Sequence, residues 1–205
     1  MPKNRGYTRE SSIKKWRDYN LFVIACEGSV TEPLYFSHFD TISKRLKVDV
    51  IQPAEGNKNK SAPRYVLDNA IKYIEKEGLL KEDSLWFVMD VDKWERTQLE
   101  EIANYCREYP NWHIVLSKPC FEVWLHLHHH NSTTEIEGLA CKEIKTQIGI
   151  YNSEHQIALK NYPKHIKKAI EHAEVIDSDA QHYYPSDYTT KVYELAKELV
   201  SYLPG

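Results

Sequence analysis

Two stretches of this chain, NLFVIAC at 20–26 and LWFVMD at 85–90, are apolar with almost no alternation. A strand with one wet face alternates apolar and polar residues. A strand without that rhythm is covered on both faces, as in the parallel sheet of an α/β layer fold. Two further runs complete the set: KVDVIQ at 47–52, which alternates and so belongs at the periphery, and WHIVLS at 112–117. Helix-length segments separate them. Residues 31–45 open with Thr31 and Pro33 and set Leu34, Phe36, Phe39 and Ile42 at helical spacing. Residues 62–77 follow a Ser61 cap with Pro63 and stop at Gly78, and 96–108 put Leu99, Ile102, Ala103 and Cys106 on one face. This order predicts an α/β fold with a mainly parallel four-stranded sheet, flanked by helices and joined by right-handed crossovers. After residue 118 the pattern is helical, with helices expected over 119–130, 139–149, 163–176 and 187–203 and a loop over 177–186. The expected organisation is a basic arm (1–19), an α/β core (20–130) and a helical extension packed on it (131–205).

Composition bounds the function classes. At 205 residues, 41% hydrophobic and 28% charged, the chain suits one domain whose core needs no disulfide or metal staple. No apolar run approaches the roughly 20 residues of a membrane span, so no membrane association is expected. The opening MPKNRGYTRE has no apolar signal segment, and Cys26, Cys106, Cys120 and Cys141 form no C-x-x-C pair. Both features point to the reducing cytoplasm. A net charge of −3 gives no global case for nucleic-acid binding, but the charge is uneven. Residues 1–17 are strongly basic, and NKNKSAPR at 57–64 is a second basic cluster. Lys14, Lys15, Lys58, Lys60 and Arg64 are therefore either solvated charges or contacts for a phosphodiester backbone.

The apolar runs end in acids. Strand one stops at Glu27; strand three stops at Asp90, with Asp92 one residue beyond Val91. In open parallel sheets the functional crevice lies outside the carboxyl ends of the strands. With strands in the order 2-1-3-4, these three carboxylates converge, and like charges that close raise one another's pKa unless a cation sits among them. Mg²⁺, or Mn²⁺ in its place, is the hard cation suited to a few carboxylates and several waters. Such an ion binds phosphate oxygens and orients an attacking water. A lone D-x-D also arises where acids cap a helix, and the second acid at an equivalent strand end is what favours the metal. Gly28, directly after Glu27, lets the chain turn tightly and leaves room for a phosphate.

An acid after the first strand and a D-x-D after a later one resemble the Toprim domain of topoisomerases, primases and OLD-type nucleases. The wording is closer to the RloB-like family. ACEGSVTEPLYF resembles its C-E-G-x-x-T-E-x-x-Y-F opening, VMDVDKW its D-x-D step, and SKPCFEVWLHLH its S-x-P-C-F-E-x-W-L-x-L-H block. YPSDYTTKVYEL is loosely similar to a Pro-Ser-x-x-T element near the family's C-terminus. The resemblance implies a Toprim-like fold in which Glu27, Asp90 and Asp92 hold the metal. It also implies an Mg²⁺-dependent endonuclease acting on DNA or RNA, tRNA included. The cellular role it implies is an effector of prokaryotic anti-phage, abortive-infection defence working with an ABC-type or AAA-type ATPase. A second copy of the chain, as a homodimer, completes the partners considered.

Four further residues are candidates on this basis. Glu32 either joins the metal site or favours its helix N-terminus through the dipole. Glu122 follows the fourth strand and should open onto the same crevice, and Lys118 is either a phosphate contact or a surface lysine. His126 stands one helical turn after Glu122 and heads the run His128, His129 and His130. It is either an accessory acid or part of a polar helix end. No Walker A, G-x-G-x-x-G or nucleophile elbow is present. Two other functions compete. A phospho-acceptor receiver domain also places acids after strands one and three, and Ser117 fits it, but the lysine expected after a fifth strand is missing. A catalytically inactive Toprim-like module would instead sense or scaffold an ATPase complex.

Overall fold

In the computed structural model, which describes residues 17–51, 62–92, 94–149 and 162–203, the sheet runs in the order β2-β1-β3-β4-β5. Strands β1 (Asn20–Cys26), β2 (Leu46–Ile51), β3 (Ser84–Asp90) and β4 (Trp112–Lys118) are mutually parallel. Strands one to four thus stand in the order 2-1-3-4, the condition under which the strand-end acids converge, with the alternating β2 at the edge. Register puts Cys26 opposite Val88 and Asp90 opposite Ser117, so the carboxyl ends of β1, β3 and β4 lie side by side.

Both faces of the sheet are covered, which is why β1 and β3 do not alternate in hydropathy. On one face Leu21, Val23, Ala25, Leu85, Phe87, Met89, Ile114 and Leu116 meet α2 (Pro63–Glu77) and α3 (Arg96–Cys106). On the other, Phe22, Ile24, Cys26, Trp86, Val88 and Val115 meet α1 (Thr31–Ser37) and the helices that follow β4. Among the described residues these are α4 (Glu122–His126), α5 (Cys141–Gln147), α6 (Ile166–Ile176) and α7 (Val192–Val200). The helical extension therefore shares the core of the sheet. Cys26, Cys106 and Cys120 are buried free thiols and Cys141 is half-buried.

Helix boundaries follow local chemistry. Helix α2 starts with Pro63 and ends at Gly78, whose positive φ of 72° lets its N–H return to the Ile74 carbonyl at 2.9 Å. In α3 the Glu95 N–H donates to Gln98 Oε1 at 3.1 Å, closing a capping box. Several expectations are corrected, among them the helix over 119–130, which spans only Glu122–His126. The helix expected over 31–45 stops at Ser37 and tightens into a 3₁₀ turn over His38–Thr41. Asp40 holds that turn against the start of β2 by accepting the Val48 N–H at 2.9 Å and the Lys47 ammonium at 2.8 Å.

The helix expected over 187–203 begins only at Val192. Residues Thr189–Thr190 form β5, antiparallel to β4, so the sheet has five strands. The Ser117 and Thr190 hydroxyls hydrogen-bond at 2.7 Å, and the Lys191 N–H donates to the Leu116 carbonyl at 2.8 Å. A lysine thus follows a fifth strand after all. Its buried ammonium is 2.5 Å from Asp177, and the strand runs opposite to a receiver's, so the likeness to a receiver fails there.

Phe87 lies in the middle of β3 with no exposed surface. Phe87→Ala should cost about 3–5 kcal/mol, the scale of truncating a buried aromatic. The measurement is a fall in the urea midpoint at unchanged denaturant slope.

Candidate functional site

The acids at the strand ends come together through the backbone. The Glu27 N–H extends the sheet by donating to the Val88 carbonyl at 3.1 Å. Its carboxylate then accepts the Asp90 N–H at 3.2 Å, joining the ends of β1 and β3. The Asp90 carboxylate accepts the Phe121 N–H at 2.8 Å and so holds the start of α4. Glu122, the first residue of α4, is 2% exposed. Its Oε1 lies 3.6 Å from Lys145 Nζ, while its Oε2 is buried with no hydrogen-bond partner.

Glu32, buried in the first turn of α1, folds back over Gly28 and takes its backbone N–H. A Cβ at Gly28 would sit 2.6 Å from the Glu32 carboxyl carbon, so no larger residue leaves that carboxylate in place. The glycine serves close packing against a carboxylate, not a bare turn.

Four carboxylates thus share the rim with one ammonium, which Glu122, Asp90 and Glu32 approach, and burial with mutual repulsion raises Glu27, Asp90 and Glu32. Burial, then Glu32 and Asp92, drive the Glu27 carboxyl up to about 7, against the Trp94 side chain nearby and the hydrogen bond from the Asp90 N–H. The Trp94 indole N–H falls short of hydrogen-bond geometry, so its effect is that of a nearby dipole left otherwise unpartnered. Asp90 keeps a little accessible surface, but its carboxyl is enclosed. Burial, then Glu32, Glu27 and Glu122, hold it well above the usual range against the pull of Lys145. Burial and Glu122 raise Glu32, with its own N–H, Lys145 and Gly28 opposing. For Lys145 burial lowers the pKa, but Glu122, Asp90 and Glu32 outweigh it and keep the amine charged. Buried carboxylates short of positive charge either retain protons or take up a cation. The donors are hard oxygens and one of them, Glu122 Oε2, has no partner, so the residues fit Mg²⁺ or Mn²⁺.

Of the residues singled out in the sequence, Glu27, Asp90, Glu32, Glu122 and Gly28 meet here. Asp92 is exposed at the rim, close enough to act on Glu27, with its N–H on the Pro119 carbonyl at 3.1 Å. Lys118 leaves the crevice to pair with Asp187 at 2.7 Å and to lie over the Tyr184 ring at 5.7 Å. The buried His126 turns to the Ser132 carbonyl at 2.9 Å and to His130. Arg64 is exposed near Glu101 at 3.7 Å; Lys14, Lys15, Lys58 and Lys60 lie outside the described residues. A hollow lined by Asn20, Lys44, Arg45 and Tyr202 opens at the opposite, amino end of β1, remote from the carboxylates. Lys145 is the site residue that sequence reasoning misses. Its one signal is its place beside Ile144, the inward residue of α5, in a chain whose acids lack a partner.

The sequence model of the family described as RloB-like protein matches residues 22–199. No curated protein and no solved structure matches the chain.

The raised carboxyls predict an inverted pH response. A Glu27 carboxyl that titrates at about 7 instead of its ordinary 4.5 stabilises the fold fully below about 4.5. That stabilisation is lost as pH rises through about 7. Without divalent ions, the melting temperature of the wild type should fall relative to Glu27→Gln between about pH 5 and about pH 8. Saturating Mn²⁺ should restore the wild type and leave the variant nearly unmoved, as followed by thermal unfolding.

Proposed function

The chain belongs to the RloB-like family, and on that premise we propose that it is a metal-dependent nuclease hydrolysing phosphodiester bonds in DNA or RNA. The observation that carries this reading is the convergence of Glu27, Glu32, Asp90 and Glu122 at the carboxyl ends of β1, β3 and β4, with Lys145 beside the last three. Glu27, Asp90 and Glu122, with Asp92 at the rim, would hold Mg²⁺ or Mn²⁺. The bound ion supplies Lewis-acid stabilisation of a phosphoryl oxygen and a water of lowered pKa.

The chain's own residues do the rest. The Asp90 and Phe121 amides fix the carboxylates they bind, so the acids keep their places as a substrate enters. Glu32, pressed on Gly28, is oriented by the backbone it touches. Lys145 is about one-third exposed, so its ammonium reaches solvent as well as the carboxylates. In that position it offers hydrogen bonds to a phosphate or to the departing oxygen. The family resemblance supports a role in prokaryotic anti-phage defence beside an ATPase partner.

The test is cleavage of plasmid, single-stranded DNA and tRNA with Mg²⁺ or Mn²⁺. Cleavage should vanish with a chelator. It should also drop about 100-fold or more in Asp90→Ala and in Glu27→Ala, the scale of losing one transition-state stabiliser. Activity surviving both substitutions refutes the mechanism. Lys145→Met separates its role from metal binding. Removing this ammonium from among the acids should tighten Mn²⁺ binding in calorimetry while slowing cleavage.

A further inference from the structure

A second group of ligand-type side chains gathers at the other end of α4. His126, His130 and Glu135 each offer one donor atom, and the three atoms lie within 4.8 Å of one another. The spacing has a helical origin. The His130 N–H donates to the His126 carbonyl at 3.1 Å, so the two imidazoles stand one turn apart on one face. Their rings stack with centroids 4.1 Å apart. The chain then turns back through Ser132 and Thr134, whose hydroxyls bond at 2.7 Å, and the buried Ile136 anchors the return. That turn brings the Glu135 carboxylate to 3.3 Å from His130 Nδ1.

The tautomer of His126 is fixed by its partner. Nε2 lies 2.9 Å from the Ser132 carbonyl oxygen, which only accepts, so Nε2 carries the proton and Nδ1 keeps its lone pair. A carbonyl behind one imidazole nitrogen is the arrangement that orients histidine ligands in metal centres.

We propose that His126, His130 and Glu135 form a transition-metal site, distinct from the carboxylate cluster, that takes Zn²⁺ and clips the end of α4 to the segment leading into α5. Two imidazoles and one carboxylate suit Zn²⁺ and related borderline ions, whereas Mg²⁺ prefers oxygen alone. Closing on one ion requires the rings to leave their parallel stack. His130 is free to turn, because its side chain is 45% exposed. The clip has a consequence at the other site, since α4 begins with Glu122 and α5 carries Lys145. Fixing the connection between them holds the ion pair that joins the two helices, Glu122 to Lys145. The inference stands independently of nuclease activity.

The test uses the full chain, freed of metal and then kept in a large excess of Mg²⁺ to occupy the carboxylates. Zn²⁺ is titrated by calorimetry, and Co²⁺ is followed by its visible absorption. The wild type should bind one Zn²⁺ per chain. His130→Ala and Glu135→Ala should each weaken that binding by about 10-fold or more, while keeping the metal-free melting temperature, since both side chains are exposed. Glu27→Gln should bind Zn²⁺ as the wild type does. Three results overturn the proposal: no Zn²⁺ uptake in excess Mg²⁺, an unchanged constant in either the His130 or the Glu135 variant, or equal loss in Glu27→Gln.

Discussion

The side-by-side pairing of β1 and β3 is the constraint on which everything else rests. Their parallel register, from Phe22 opposite Ser84 to Cys26 opposite Val88, brings Glu27 and Asp90 to one rim although 63 positions separate them. Because both faces of these strands are covered, the rim is the one place where their next polar residues meet solvent. Had β4 or a helix intervened, the Glu27 carboxylate would not reach the Asp90 amide, and Asp90 would not seat α4.

Such a rim works against the fold. Like charges held among buried atoms cost free energy that the two apolar layers, around Phe87 and Met89 on one side and Trp124 and Phe121 on the other, must offset. Lys145 relieves part of this cost. Among the described residues one ammonium serves a rim of four acids and stands beside three of them, and the residual demand for positive charge is the physical basis for reading the rim as a cation site. The arrangement fits the general pattern in which perturbed titration gathers where chemistry is done.

Much of this was legible in the sequence, for reasons that can be named. Glu27 and Asp90 announce themselves because each breaks an unalternating apolar run, the pattern of a strand covered on both faces. Glu122 was legible through its position just after β4. Other features were illegible because they depend on contacts distant in sequence. Strand β5 has two residues and no pattern of its own; it exists because Thr190 meets Ser117. Helix α1 ends early because Asp40 turns toward β2, which no periodicity encodes. Lys118, well placed in sequence, is drawn off by Asp187, and Lys145 arrives from a helix whose text gives no sign of it.

Gly28 carries a consequence for how such a chain varies over generations. The volume that its missing methyl would fill is already taken by the carboxylate of Glu32. The smallest change open to that codon therefore acts on charge placement before it acts on bulk. The order of the acidic rim therefore depends on a position that contributes no functional group, since any side chain there displaces the Glu32 carboxylate with every acid still in the sequence.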